Sequence, residues 1–234
     1  MADGQTQAAS EAGRVADLYH PVTCCRTAHI HMPRSSSFAG IVLAAGASSR
    51  MGEDKALLQF AGRSFLAGAI QLLQSACDFV VVVAGNNIDL LRPVIYQNSA
   101  YVVHNWQPER GQFSSLREGL QAVLDRGRDA ACVTLVDRPP ARAETLARLK
   151  TEFINTAPEK LWAVVPQFEG KHGHPVIFGR EMMEVFLRAD PVHNAREIEH
   201  EYQSRIQYLP VDDPRVVLNI NTPEDYSSLV QTTG

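Results

Sequence analysis

No stretch of this 234-residue chain reaches the roughly 18 consecutive apolar residues of a membrane-crossing helix. The longest candidate, 79–85 (FVVVVAG), has the length of a strand. Cysteine is scarce: Cys24, Cys25, Cys77 and Cys132 are the only four. They form no C-x-x-C pair and no disulfide-framework spacing. That argues against a cysteine-stapled secreted fold and for a reduced, cytoplasmic setting. Positive charge is not in surplus either. Lys and Arg number 22 against 26 Asp and Glu, a formal net charge of -4. Neither nucleic acid nor a membrane surface is therefore expected as a partner. What is abundant is apolar residue, 45% of the chain, enough for one large domain with a substantial core or two small ones.

Residues 1–38 mix Ala, Ser, Thr, Gln, His and Arg without a period and lack the apolar core of a secretory signal. They read as a loosely ordered leader. His29 and His31 lie near Cys24 and Cys25, but in a spacing that matches no zinc-ligand pattern. Met32, just before the first apolar run, is a candidate natural start. From Ala39 the patterns alternate. Strands are expected at 39–43, 79–84, 101–104, 130–136, 162–167, 175–178 and 205–211. Helices are expected after Ser64 and at 88–97, 114–126, 144–155, 181–188, 195–202 and 222–230. This alternation predicts a single domain over 39–234: a three-layer α/β/α fold around a mostly parallel sheet.

The clearest chemical signal is Leu43-Ala44-Ala45-Gly46-Ala47-Ser48-Ser49-Arg50-Met51-Gly52-Glu53-Asp54-Lys55. A buried strand opens into a loop of small residues, whose backbone N–H groups can approach an anion closely. Arg50 adds a planar fork for phosphate and Lys55 a mobile point charge. The loop is neither a P-loop nor a Rossmann fingerprint. Further on, Ser114 and Ser115 fall at an expected helix start, where free N–H groups and hydroxyls suit a base edge or phosphate; Ser114 also suits an N-cap. Asp137 follows the strand AACVTL, placed to ligate a hard cation shared with a triphosphate, or to cap the next helix.

LAAGASSRMGEDK resembles the signature of the MobA-like nucleotidyltransferases, single-domain enzymes of the nucleotide-diphospho-sugar transferase fold. Across about 39–230 the chain looks most similar to the molybdenum cofactor cytidylyltransferases. The resemblance implies nucleotide binding by Leu43, Ala44, Ala45, Gly46, Ser48, Ser49, Arg50 and Lys55, joined by Asn105, Ser114 and Ser115 from HNWQPERGQFSSLREGL. It implies catalytic roles for Arg50, Lys55 and Asp137. Val136-Asp137-Arg138-Pro139 is similar to the family's metal-binding G-D-x-P, with Val136 and Arg138 as departures; Arg138 could pair with Asp137 or contact phosphate. GHPVIF resembles a family motif beside the acceptor pocket, which implies that His174 either binds an acceptor phosphate or turns the chain into a strand. In NINTPED, Asn221 and Asn219 would complete a Mg²⁺ site with Asp137, while Thr222-Pro223-Glu224-Asp225 makes a good helix start.

The activity so implied is attack of an acceptor phosphate on the α-phosphorus of an NTP, with release of pyrophosphate. The acceptor expected is molybdenum cofactor, and a molybdoenzyme or its chaperone is a further implied partner. The Ala44-Ala45 doublet favours CTP, whereas the paired Asn residues resemble the guanylyl branch. Only part of a cytidylyl-type G-D-x-G-A-R block survives at 189–196. A sugar-1-phosphate nucleotidyltransferase and a non-catalytic nucleotide- or cofactor-binding partner are the alternatives.

Overall fold

In a computed structural model of the chain, the structure describes residues 37–46, 54–156 and 160–233. Strand β1 (Ala39–Leu43) is followed by a short hairpin, β2 (Gln59–Phe60) and β3 (Arg63–Ser64), then helix α1 (Phe65–Gln74). Next come β4 (Phe79–Ala84), α2 (Ile88–Gln97), β5 (Tyr101–His104), α3 (Gln112–Asp125) and β6 (Ala130–Leu135). The second half contains α4 (Ala143–Asn155), β7 (Ala163–Phe168), β8 (Lys171–His172), β9 (Val176–Gly179), α5 (Arg180–Arg188) and α6 (Ala195–Glu201). Strand β10 (Ile206–Pro210) and helix α7 (Pro223–Thr233) close the chain.

The main sheet runs in the order β10-β7-β9-β6-β1-β4-β5, with β8 paired to β7. β1 pairs in parallel with β4 and β6, β4 with β5, and β7 with β10. β9 is antiparallel to both β6 and β7. Successive strand residues point to opposite faces. Val42, Val80 and Val82 pack with α1, α2 and α4 on one face. Ile41, Leu43, Val81 and Val83 pack with α3, α5 and α6 on the other. The unbroken valine run of β4 is what burial on both faces requires. The three-layer α/β/α fold with a mostly parallel sheet is as the sequence predicts. Phe38 is fully buried and packs edge-on against Phe153, so the folded part takes in this last residue of the expected leader. Cys24, Cys25, His29, His31 and Met32 lie outside the described residues.

Local signals set the element ends. The Ser64 hydroxyl accepts from the Ala67 N–H and caps α1. Helix α3 starts two residues earlier than expected: Gly111, at φ 90, is the residue before it, and Ser114 lies inside the first turn. A positive φ of this kind suits glycine. Ser114 is therefore not the cap. Nor is Asp137 the cap of the following helix. Arg142 holds that position, and the Asp213 carboxylate steadies it by accepting from the Arg142 N–H at 2.7 Å and the Thr145 hydroxyl at 2.9 Å.

Sheet order places the site. The chain runs from β1 outward through β4 to β5, then returns to the other side of β1 with β6. Ligands of open parallel sheets bind at such a reversal, beyond the carboxyl ends of the strands. The ends of β1 and β6, at Leu43 and Leu135, lie directly opposite each other.

Candidate active site

At that reversal lies a cavity of about 370 Å³. Leu43, Ala45 and Gly46 enter it from the end of β1, and Val136 and Asp137 from the end of β6. Gly111, Gln112 and Ser115 reach it from the start of α3, and Lys55 from the segment after the loop. Six expected site residues (Leu43, Ala45, Gly46, Lys55, Ser115 and Asp137) thus share one wall-to-wall space. Ser48, Ser49 and Arg50 lie outside the described residues. The long helix α3 points its N-terminus at the cavity, so its first N–H groups and the positive end of its dipole favour an anion there.

The remaining expected nucleotide contacts have other work. Ala44 is 1% exposed. Its N–H donates to the Val83 carbonyl, and its own carbonyl accepts from Asn87. It continues the strand geometry and does not line the cavity. Asn105 is also buried; its amide donates to the Ser114 hydroxyl at 2.8 Å and the Ser115 hydroxyl at 2.9 Å. Ser114 donates back to the Gly111 carbonyl. Asn105 and Ser114 therefore shape the start of α3 from a neighbouring cavity, and Ser115 alone of the three reaches the nucleotide space.

Asn87 and Asp54 are site-building residues that the sequence reading missed. The Asn87 amide donates to the Ala44 carbonyl at 2.9 Å and to the Asp54 carboxylate at 2.6 Å. Its own oxygen accepts from the Gly85 N–H. One side chain at the end of β4 thus ties together both ends of the small-residue loop. The available signal was Gly85-Asn86-Asn87 at a strand's carboxyl end, which reads equally well as a turn.

The Lys55 ammonium donates to the Asn221 side-chain oxygen at 3.0 Å, joining the first motif to the last. Asn221 is fixed in turn: the Asp225 carboxylate accepts from the Asn221 and Thr222 N–H groups, and the Thr222 hydroxyl accepts from the Asp225 N–H. Those backbone donors hold the Asp225 carboxyl below its usual value.

Arg138 is 8% exposed. It donates to the Val216 carbonyl at 3.0 Å and the Asn219 side-chain oxygen at 2.7 Å. Its Nε lies 3.5 Å from Asp137 Oδ1. Burial pulls the guanidinium below its ordinary value, against the attraction of Asp137. The choice left open by the sequence thus resolves to pairing with Asp137. The Asn219 oxygen is engaged by Arg138, as the Asn221 oxygen is by Lys55.

His174 lines a second cavity, of about 860 Å³. Its Nδ1 lies 3.3 Å from the Val133 carbonyl. Burial, helped by the Arg138 charge, pushes its pKa down to about 3. A neutral imidazole of this kind can meet a phosphate through a ring N–H but not as a cation. The backbone also fixes its place: a Cβ on Gly173 would fall 2.2 Å from the Val216 carbonyl oxygen, so only glycine lets the two segments meet.

Among the described residues, no group of three His, Cys, Asp or Glu side chains is placed to hold a metal unaided. A lone carboxylate still suits Mg²⁺ or Mn²⁺, which take one or two carboxylates plus substrate phosphates. Asp137 Oδ1 and the facing Arg138 Nε, 3.5 Å apart, are both buried without a hydrogen bond, so the carboxylate keeps an oxygen that a cation could take. Asp137 fits such an ion, whereas the side-chain oxygens of Asn219 and Asn221 are both engaged by cationic donors, Arg138 and Lys55.

An open sheet with small residues, a lysine and a lone acid gathered at its reversal defines a nucleotidyltransferase of the nucleotide-diphospho-sugar transferase fold. Residues 40–206 match the MobA-like NTP transferase domain, and the chain belongs to that family. It is 32% identical over 201 residues to a molybdenum cofactor guanylyltransferase of Xanthomonas euvesicatoria pv. vesicatoria, covering 82% of this chain and 94% of the relative. It is 23% identical over 195 residues to a molybdenum cofactor cytidylyltransferase of Escherichia coli, covering 80% and 92%. The crystal structure of Rv0371c from Mycobacterium tuberculosis matches with a TM-score of 0.69 at 25% identity, covering 83% of this chain and 98% of that one. The same mycobacterial protein has also been solved as a complex with manganese, and matches at 22% identity. Among the described residues no helix is long and apolar enough to cross a membrane.

Proposed function

We propose that the protein transfers a nucleoside monophosphate, by preference CMP from CTP, to a phosphate of molybdenum cofactor in the reducing cytoplasm. The observation that carries the reading is the meeting of Lys55 and Asp137 in one cavity at the ends of β1 and β6, beside the larger cavity that ends at His174. The attacking phosphate is already anionic, so positioning and charge stabilisation dominate over base catalysis. The amides after Ala45 and Gly46, with Arg50, hold the β- and γ-phosphates. Lys55, oriented by Asn221, meets charge developing near the α-phosphate. Asp137 would hold the divalent cation, Mg²⁺ in this reading, with Asn221 or Asn219 joining it where the oxygen gives up its cationic donor. Once bound, that ion supplies charge neutralisation on the triphosphate; the manganese complex of the mycobacterial protein supports its inclusion.

The choice of base rests on Ala45. Its methyl group stands in the cavity wall and leaves less room for a purine than glycine would. Such a difference discriminates by about 1–3 kcal/mol, a preference and not an absolute barrier. A guanylyl reading is favoured by the Xanthomonas relative's name and by the paired Asn219 and Asn221. The test is kcat/KM for CTP and for GTP with molybdenum cofactor as acceptor. Faster use of CTP supports the proposal, and faster use of GTP moves the protein to the guanylyl branch. Pyrophosphate release only with sugar 1-phosphates would replace the acceptor. No release with any acceptor would make the protein a binding partner.

A further inference from the structure

The larger cavity adjoins the nucleotide space through Gly111 and Gln112, which line both. At about 860 Å³ it is far larger than a phosphate needs and falls in the range of pockets for drug-sized molecules. Its charged side chains are mostly cationic, Arg110, Lys171 and Arg196, as suits an anionic acceptor. Glu199, on α6, is the one carboxyl group in that wall.

Among the described residues Glu199 makes no hydrogen bond or ion pair, although its side chain is half-buried. Burial pushes it up to about 7, with the Arg196 charge pulling the other way. The nearby Tyr208 hydroxyl is pushed up in turn, by burial and by the charge of Glu199. Tyr208 is held in place by stacking on His172, with ring centroids 3.9 Å apart and planes 10° apart. A half-buried acid without donors is costly. A bound molecule bearing two adjacent N–H donors would relieve that cost, because a carboxylate accepts two parallel hydrogen bonds in one plane.

We infer that Glu199 is the specificity-determining residue of the acceptor site, accepting paired N–H donors from the ring of a 2-amino-4-oxo nitrogen heterocycle. The ring N–H and the neighbouring exocyclic amine supply the two donors. A 2-oxo analogue presents a carbonyl in place of the amine, facing the acid oxygen to oxygen, and is rejected. This inference rests on the proposed acceptor, since it assigns this cavity to it.

The test measures equilibrium binding of 6-hydroxymethylpterin and of its 2-oxo analogue, 6-hydroxymethyllumazine, to the full chain through the rings' own fluorescence. Wild type, Glu199→Gln and Glu199→Ala are compared, with Mg·CTP binding measured alongside. Wild type is expected to prefer the amino ring by tenfold or more. Glu199→Gln can turn its amide to face a carbonyl, so it should lose that preference, and Glu199→Ala should lose it too. Mg·CTP binding should stay within twofold in all three proteins. If both variants keep the wild-type preference, Glu199 does not read the ring, while the molybdenum cofactor reading stands. If neither ring binds the wild-type protein while Mg·CTP does, the assignment of this cavity to such an acceptor falls, and this inference with it.

Discussion

Lys55 and Asp137 face one space from the two strand ends, yet they should fail differently when removed. Lys55→Ala should lower kcat by roughly 10²–10³-fold, the range seen when one donor to a transition-state anion is lost. Its Nζ is bonded to an exposed asparagine, so the melting midpoint should hardly move. Wild-type turnover in the folded variant would remove Lys55 from the mechanism. Asp137→Asn should weaken NTP binding with Mg²⁺ present and leave binding in EDTA nearly unchanged, because an anionic ligand has been exchanged for a neutral one. An equal loss under both conditions would mean that Asp137 acts through Arg138 and not through a metal. For His174 the relevant variable is pH. Its folded pKa of about 3 lies below the unfolded value of about 6.5. The unfolded chain therefore takes up a proton first, and stability falls as pH drops from 6.5 towards 3. His174→Gln should lack that component. Between pH 7.5 and 5.5, urea titrations should show a smaller loss in the variant, by on the order of 1 kcal/mol. Equal losses would show that His174 titrates normally.

At the scale of elements, the ends of strands matter more than their middles. The side chain of Asn87 joins the end of β1 to the residue that follows the small-residue loop. Asn87→Ala leaves the Ala44 carbonyl and the Gly85 N–H short of partners, at a cost of about 1–3 kcal/mol. It should also reduce NTP affinity severalfold, measured by titration of the folded variant; unchanged affinity would show that the loop needs no such tie. This tie was hidden in the sequence because its partners lie 43 and 33 residues away. What was legible followed local rules: the valine run of β4, the Ser64 cap, and the small residues and lysine around the loop. The β2–β3 hairpin was missed because its turn is Ala61-Gly62, both at positive φ, and alanine carries none of the usual signal of Asn-Gly. The start of α3 was placed late because a glycine at φ 90 stands where a serine cap was expected. The setting of Asn219 turned on Arg138, a buried guanidinium that reaches across 81 residues to it. No local pattern reports such a contact.

On the scale of the whole molecule, the 3-10 turn that begins at Lys55 near the start of the domain and the Asn221–Asp225 turn near its end complete one site. Tyr226 of α7 anchors that closure, donating its hydroxyl to the Gln59 carbonyl at 2.8 Å and meeting Phe65 edge-on. Seen from the ribosome, this arrangement sets an order of events. The loop, β1 and β6 leave the exit tunnel before the residue that meets Lys55 from the last motif, Asn221. A chain halted before Asn221 should bind NTP more weakly than the finished one and transfer nothing, a difference that stalled and released chains would show side by side.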